Sequence, residues 1–326
     1  MNTYLYPITF LLVCFTMVVN AQPKHLSQYP NEITRDGHII VLPDHGTAYI
    51  VADLHAHWKD FNQWLEQTKL IDRIKADEDV YGIMLGDAID YKPDEQPKPP
   101  YGDIQIVDRV MEIQQELGEN GKRLIYIRGN HEFAAADTYA VMKRHGMNEK
   151  NRQAFIHRLY NGINGSYYKQ FNFIERMTDT HFDFIMNLPT VVIGKNGFVA
   201  VHAGPARSIS SLSDLVTPAK DTLDELLWDR SKLVMFGGYT LKHTENFLKI
   251  LNANILVVGH TPVGLFSPKY MKDGVVRLGD KQLIFSTGYS GTKGGQTYIE
   301  IDLAKTYSSV DELTFGDNIH LLYPKQ

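Results

Sequence analysis

Five short stretches of this 326-residue chain carry side chains that could share one piece of chemistry. They are Asp53-Leu54-His55, Gly86-Asp87-Ala88-Ile89-Asp90, Gly129-Asn130-His131-Glu132, His202-Ala203-Gly204 and Gly259-His260-Thr261. Each stands where an apolar run stops. Imidazole, carboxylate and amide oxygen together suit a borderline-hard divalent cation such as Mn, Fe or Zn. One histidine in such a place is ordinarily a hydrogen-bonded core residue. Five coincidences are hard to assign to packing, because burying polar groups without partners is costly. The only cysteine is Cys14, so a structural zinc site of the multi-cysteine type is excluded.

The elements that must position these groups can be read around them. His38 to Leu42 and Thr47 to Ala52 read as two strands about the turn Pro43-Asp44-His45-Gly46, a hairpin-like opening. The second run ends in Asp53-Leu54-His55, and on an extended backbone residues two apart face the same way. Trp58 to Ile71 has helical spacing of Phe61, Trp64, Leu65 and Leu70, with His57 before it as a cap or surface group. Val80 to Leu85 is a buried strand leading to Asp87, and the proline-rich stretch Tyr91 to Pro100 reads as an exposed loop. A helix over 103–118 follows, then the strand Leu124 to Ile127. Gly129 lets the backbone turn sharply and delivers Asn130 and His131 at a strand's carboxyl end, where open α/β sheets keep their sites. Strand, helix, strand, helix, strand makes an α/β chain with parallel pairing the default.

Phe133 to Asn187 reads as mostly helical and rich in aromatics, a possible cap. Thr190 to Ile193 and Phe198 to Val201 form a hairpin about Lys195-Asn196-Gly197 and lead to His202. A helix through Leu223 to Leu227 precedes Trp228-Asp229-Arg230, and the strand Ile255 to Val258 leads to His260. The tail is β-rich. Its glycine loop, 288–295, lacks the spacing of a phosphate-cradling P-loop.

Ile8 to Val19 has the length of a signal-peptide apolar region, and Val19-Asn20-Ala21 offers small residues for cleavage after Ala21. The expectation is a signal peptide over 1–21 and a single domain over 22–326, acting outside the cytoplasm, periplasmic or secreted. No Lys or Arg precedes the apolar region, so an uncleaved anchor is the alternative; once cleaved, no stable membrane insertion is expected. The formal net charge is −5 with both signs dispersed, which argues against a nucleic-acid partner.

Taken in order, Asp-x-His, Gly-Asp-x-x-Asp, Gly-Asn-His-Glu, His-Ala-Gly and Gly-His-Thr resemble the motif series of the calcineurin-like metallophosphoesterases. More narrowly, the chain is similar to the phosphoprotein phosphatase branch, as a bacterial-type secreted member. Arg128-Gly129-Asn130-His131-Glu132, Leu188-Pro189, Leu226-Leu227-Trp228-Asp229 and Phe285-Ser286 to Gly291 carry that likeness, which runs from Tyr49 to about Ile301. The resemblance implies a two-sheet β sandwich flanked by helices and two divalent ions, Mn favoured over Fe or Zn. It assigns Asp53, His55 and Asp87 to one ion, and Asp87, Asn130, His202 and His260 to the other. A bridging carboxylate keeps such ions about 3.5–4 Å apart. A water between them would lose its proton near neutral pH and attack phosphorus in line, without a phosphoenzyme. His131 would protonate the leaving oxygen, with Asp90 fixing its tautomer.

The chain departs from the family at Asp90-Tyr91-Lys92, where Asp-Arg-Gly is usual, so the phosphate-clamping arginine is missing at 91. Lys92 offers a point charge where arginine offers a planar fork. Ala52 and Ala56 replace glycines. Arg230 is the candidate for the remaining clamp, with Arg128 and Arg207 as further ones, and Tyr289 matches a family tyrosine near the substrate. The resemblance implies a phosphoric monoester hydrolase acting on phosphorylated protein, on Tyr or on Ser/Thr. Aromatic walls from 133–187 would favour phosphotyrosine. A dinucleotide polyphosphate or small phosphoester hydrolase is the second reading. A non-catalytic binding module on the same scaffold is the third, and the survival of all six ligands speaks against it.

Overall fold

Runs such as Ile39-Ile40-Val41-Leu42 and Ile255-Leu256-Val257-Val258 are apolar at every position, so both faces of each strand need covering. The computed structural model, which describes residues 25–90, 101–146, 148, 151, 173–288 and 296–323, meets that need with two sheets face to face and helices outside both. The five-stranded sheet has the order β13-β12-β3-β4-β5: β13 Ile319–Leu321, β12 Thr297–Asp302, β3 Thr47–Val51, β4 Val80–Met84 and β5 Leu124–Tyr126. The eight-stranded sheet has the order β1-β2-β6-β7-β8-β11-β10-β9, from β1 Thr34–Asp36 and β2 Ile39–Leu42 to β9 Met271–Lys272. Between these lie β6 Val191–Gly194, β7 Phe198–Val201, β8 Ile255–Val258, β11 Gln282–Ile284 and β10 Val275–Leu278.

Alternate side chains sort into three apolar layers. Ile40, Leu42, Ala48, Ile50, Ile83, Ile125, Val192, Ala200 and Val257 meet between the sheets. Tyr49, Val51, Met84, Leu124 and Tyr126 face outward, under α1 (Trp58–Thr68), α2 (Leu70–Lys75), α3 (Gly102–Glu116) and α4 (Asn130–His145). Ile39, Val41, Val199, Val201, Leu256 and Val258 face the other helices, among them Lys220–Trp228 and Leu241–Leu251. Each fully buried aliphatic side chain contributes roughly 1.5–3 kcal/mol.

The strand-helix-strand-helix-strand expectation holds: β3, β4 and β5 are parallel, in register Ile50↔Ile83 and Ile83↔Ile125. The hairpin β6–β7 is present as expected. The hairpin-like opening is corrected. β2 pairs with β1 and β6 in the large sheet, whereas β3 pairs with β4 and β12 in the small one, so the turn at 43–46 crosses between sheets. Both runs are apolar on both faces, so their composition does not tell which sheet each joins. The helix expected over 58–71 is also interrupted, because Lys69 takes a left-handed conformation with φ 50 and separates α1 from α2. Among the described residues no helix is long and apolar enough to cross a membrane. The leader, Lys92, Tyr289 and residues 152–172 of the expected cap lie outside the described residues.

Candidate metal centre

Strands β3, β4, β5, β7 and β8 all run their carboxyl ends toward one place, and the turns that follow carry the polar side chains. The first two turns are joined to each other by backbone hydrogen bonds, Asp53 N to Gly86 O, His55 N to Asp87 O and Ala56 N to Ala88 O, at 3.3, 2.8 and 2.8 Å. Asp53, His55, Asp87, Asp90 and His260 all have positive φ, between 42 and 62°. Such backbone costs about 1–3 kcal/mol per residue and persists only where the surroundings determine it. Two glycines let the turns close up. A side chain on Gly86 (φ +84) would meet the backbone of Gly129 at 2.5 Å, and one on Gly129 would meet Asp87 Oδ1 at 2.3 Å.

Asp87 is the hub. Its Oδ2 lies 3.8 Å from His55 Nε2 and 3.7 Å from His131 Nε2, and its Oδ1 lies 3.4 Å from His202 Nε2. His131 N donates to Oδ1 at 3.0 Å. Two sets of side chains thus converge with ligand atoms close enough for one ion each: His55, Asp87 and His131, and Asp87, His202 and His260. Asn130 joins the second set, its Oδ1 2.9 Å from His202 Nε2. Burial alone would raise the Asp87 carboxyl, but His202, His131 and His55 around it hold it well below the ordinary carboxylate range. Burial would likewise lower His202, yet the Asp87 carboxylate beside it pushes it up to about 9.

The outer ring nitrogens are tied down. His55 Nδ1 lies 2.9 Å from the carbonyl of Asp90, and His202 Nδ1 lies 2.6 Å from that of Leu85. With Nδ1–H donating to a carbonyl, each Nε2 turns to the centre, the edge that metal-ligating histidines present once that nitrogen has given up its proton. The donor set therefore fits divalent ions. Asp53 stands slightly apart: both its oxygens accept from His260 N at 2.9 Å, which binds the turn after β3 to the turn after β8. Asp90 Oδ2 lies 2.7 Å from His131 Nδ1, so the pair read from sequence is brought together.

Of the three arginines, one reaches the cluster. Arg230 Nε donates to His260 Nε2 at 3.1 Å. Arg128 is 3% exposed and donates to the carbonyl of Met186, and Arg207 is engaged by Glu225 and Asp229. Neither of these is positioned as a clamp. Of the aromatics in 133–187, the described Tyr139, Phe173, Phe182 and Phe184 pack against the outer helical core. His57 is the residue before α1, outside both ligand sets.

Sequence reasoning gave no role to Glu132, which the structure makes the brace of the site. Fully buried, it accepts from the backbone N–H of Asp87, Ala88 and Gly129, each at 2.9 Å, and from Tyr126 Oη at 2.6 Å. The signal was there: a Glu three residues past the turn glycine, in the first turn of α4, can reach back to orphan N–H groups.

The profile of the family described as calcineurin-like phosphoesterase matches residues 46–264. Among solved structures, a Saccharomyces cerevisiae protein serine/threonine phosphatase aligns at 14% identity over 85% of this chain and 78% of that one, with a TM-score of 0.48. A cold-active protein-tyrosine phosphatase of a psychrophilic Shewanella aligns at 15% over 87% and 84%, with a TM-score of 0.46. A candidate diadenosine tetraphosphatase aligns at 11% over 81% and 94%, with a TM-score of 0.44. A search of curated proteins finds no match.

Proposed function

The chain belongs to the calcineurin-like phosphoesterases, and from that membership we propose that it is a metal-dependent phosphatase of phosphomonoesters, with phosphorylated protein side chains as its substrate class. The observation that carries the reading is Asp87, whose two oxygens face two different sets of ligands. Asp53, His55 and Asp87 would hold one ion, and Asp87, Asn130, His202 and His260 the other. Bound there, two divalent ions would supply Lewis acidity toward the phosphoryl oxygens and the activation of water.

The chain's own residues do the rest. The contact with Asp90 turns the Nδ1 edge of His131 away from the centre, so that Nε2 is the atom that gives a proton to the leaving oxygen. Arg230 stands beside His260 with a planar fork suited to phosphoryl oxygens. Lys92 and Tyr289 are carried into this proposal from the sequence alone, as substrate-binding residues. Export rests likewise on the leader, and Gln22 as the first residue of the mature protein would agree with it.

The test is one panel. The mature protein with Mn²⁺ is assayed on phosphotyrosine, phosphoserine and phosphothreonine peptides beside diadenosine tetraphosphate. Hydrolysis of the peptides supports the proposal. Turnover of the dinucleotide alone would transfer it to the second reading, which the tyrosine at 91 keeps in play. Saturable binding without turnover of any substrate would indicate a binding module.

A further inference from the structure

At the open edge of the sandwich, β1 and β5 are the outermost strands of their sheets, and they do not pair with each other. A cavity of about 240 Å³ lies there, closed on one side by the segment after the helix Asp179–Met186. Ile33, Ile40, Phe184 and Leu188 supply apolar wall, Gln114 and Asn187 neutral polar groups, and its charged lining consists of Arg35 and Lys122. Among the described residues, no acidic one lines it. Arg35 is held by neutral acceptors: its Nε donates to the carbonyl of Gly37 at 3.1 Å, and Nη2 to the carbonyl of Asn187 and, at 3.2 Å, to Asn187 Oδ1, which leaves the Nη1 end for a ligand. Those bonds orient the guanidinium without neutralising it.

A second observation ties this cavity to the metal centre. Tyr126 lines it, and its ring meets that of Phe184 with centroids 6.2 Å apart. The Tyr126 hydroxyl donates to Glu132 Oε1 at 2.6 Å, and the same carboxylate holds the backbone N–H groups of Asp87 and Ala88. The cavity wall is therefore two side chains away from the residue that both ligand sets share.

We propose that this cavity binds a small organic carboxylate, its anionic end on Nη1 of Arg35 and its apolar, flat body between Phe184 and Leu188, and that its occupancy changes metal affinity through Tyr126 and Glu132. The size is below that of ordinary ligand pockets, about 300 Å³ and more, and suits a ligand of about ten non-hydrogen atoms. A charge-assisted contact from the guanidinium suits a carboxylate, and the aromatic wall suits a ring. The second half rests on the reading of the centre as a metal site. Coupling of this kind is reciprocal, so metal should change the affinity for the carboxylate by the same factor.

Phenylacetate is a suitable probe, because it has the right size and no phosphoester to be turned over. Calorimetry on the whole protein should show saturable binding of phenylacetate and none of phenylacetamide. Arg35→Gln should weaken binding roughly tenfold or more, the scale of a lost charge-assisted contact, and Leu188→Trp should fill the cavity and abolish it. Mn²⁺ affinity should shift on adding phenylacetate to the wild type. It should not shift in Tyr126→Phe, which still binds the probe, nor in Arg35→Gln, which controls for phenylacetate meeting the ion directly. Equal binding of acid and amide, or binding untouched by both cavity variants, would overturn the site. A shift that survives in Tyr126→Phe, or no shift in the wild type despite binding, would overturn the relay. None of these readouts uses hydrolysis, so they stand or fall separately from the phosphatase reading.

Discussion

The two sheets contribute differently to the centre. The five-stranded sheet supplies every carboxylate, Asp53, Asp87 and Asp90, from turns whose backbone is left-handed and locked together by hydrogen bonds. It also supplies His55, Asn130 and His131. The eight-stranded sheet supplies imidazole alone, His202 from the end of β7 and His260 from the end of β8, with His202 O accepting from Gly259 N at 2.9 Å. One sheet thus carries the negative charge and the shared ligand, and the other closes the cluster over it. Under the two-ion proposal this makes an asymmetry of damage: a change in the first sheet can remove both ions, whereas a change in the second should remove one.

Asp87→Asn should therefore be the most severe variant. It removes the charge that three histidines face, and activity should fall by well over a hundredfold, since even changes behind a ligand cost about 10–100-fold. Steady-state hydrolysis of nitrophenyl phosphate at saturating Mn²⁺ checks it. An Asp87→Asn enzyme no worse than His202→Ala would erase the distinction between the sheets.

Next in size is His131→Asn. General acid catalysis is worth about a hundred- to ten-thousand-fold, so kcat should fall within that range on a poor leaving group and much less on nitrophenolate. Because His131 Nε2 stands among ligand atoms with His55 and Asp87, metal content must be measured beside it. Retention of the wild-type complement supports proton transfer, and loss of an ion would make His131 a ligand.

How much of this was legible can be argued from particular residues. Strand ends were readable because uninterrupted apolar runs such as Val80–Met84 and Ile255–Val258 stop at a polar residue, and burial demands that such a residue have a partner. The partition of β2 and β3 between sheets was not, because both runs are apolar on both faces and fit either sheet. Arg128 looked available for phosphate by its place in the motif. Only the fold shows it turned away to the carbonyl of Met186. Glu132 was quoted in its motif, but its role depends on the backbone of Asp87, forty-five residues distant, which no local pattern reveals.

Glu132→Gln sharpens that last point. One acceptor oxygen becomes a donor facing backbone N–H groups, at a cost of about 1–3 kcal/mol, read by urea unfolding, and Mn²⁺ affinity should fall with it. Unchanged stability and metal binding would mean that the turn after β4 holds its shape without the brace.

The smallest effect is at Asp103, in the first turn of α3. Burial, helped by Asp90, raises its carboxyl from 3.8 to about 6. A group whose folded pKa is raised binds more protons folded than unfolded, so it favours the native state in acid and opposes it as pH rises through about 6. The displacement corresponds to at most about 3 kcal/mol, and the hydrogen bond from Ile104 N that Asp103 accepts offsets part of any gain. Asp103→Asn should raise Tm modestly at pH values above that range, with the gain shrinking as pH falls toward 4. A Tm difference independent of pH would show that the carboxyl is not titrating there.

Whether Asp87 is shared by two ions is decided by metal stoichiometry. The mature protein is loaded with Mn²⁺, freed of excess by gel filtration and analysed for metal per chain, alongside His202→Ala and Asp87→Asn, with folding of each verified by circular dichroism. Two ions are expected for the wild type, one for His202→Ala, and fewer than one for Asp87→Asn. A wild type that retains a single ion, or an Asp87→Asn protein that keeps as much metal as His202→Ala, would contradict that sharing.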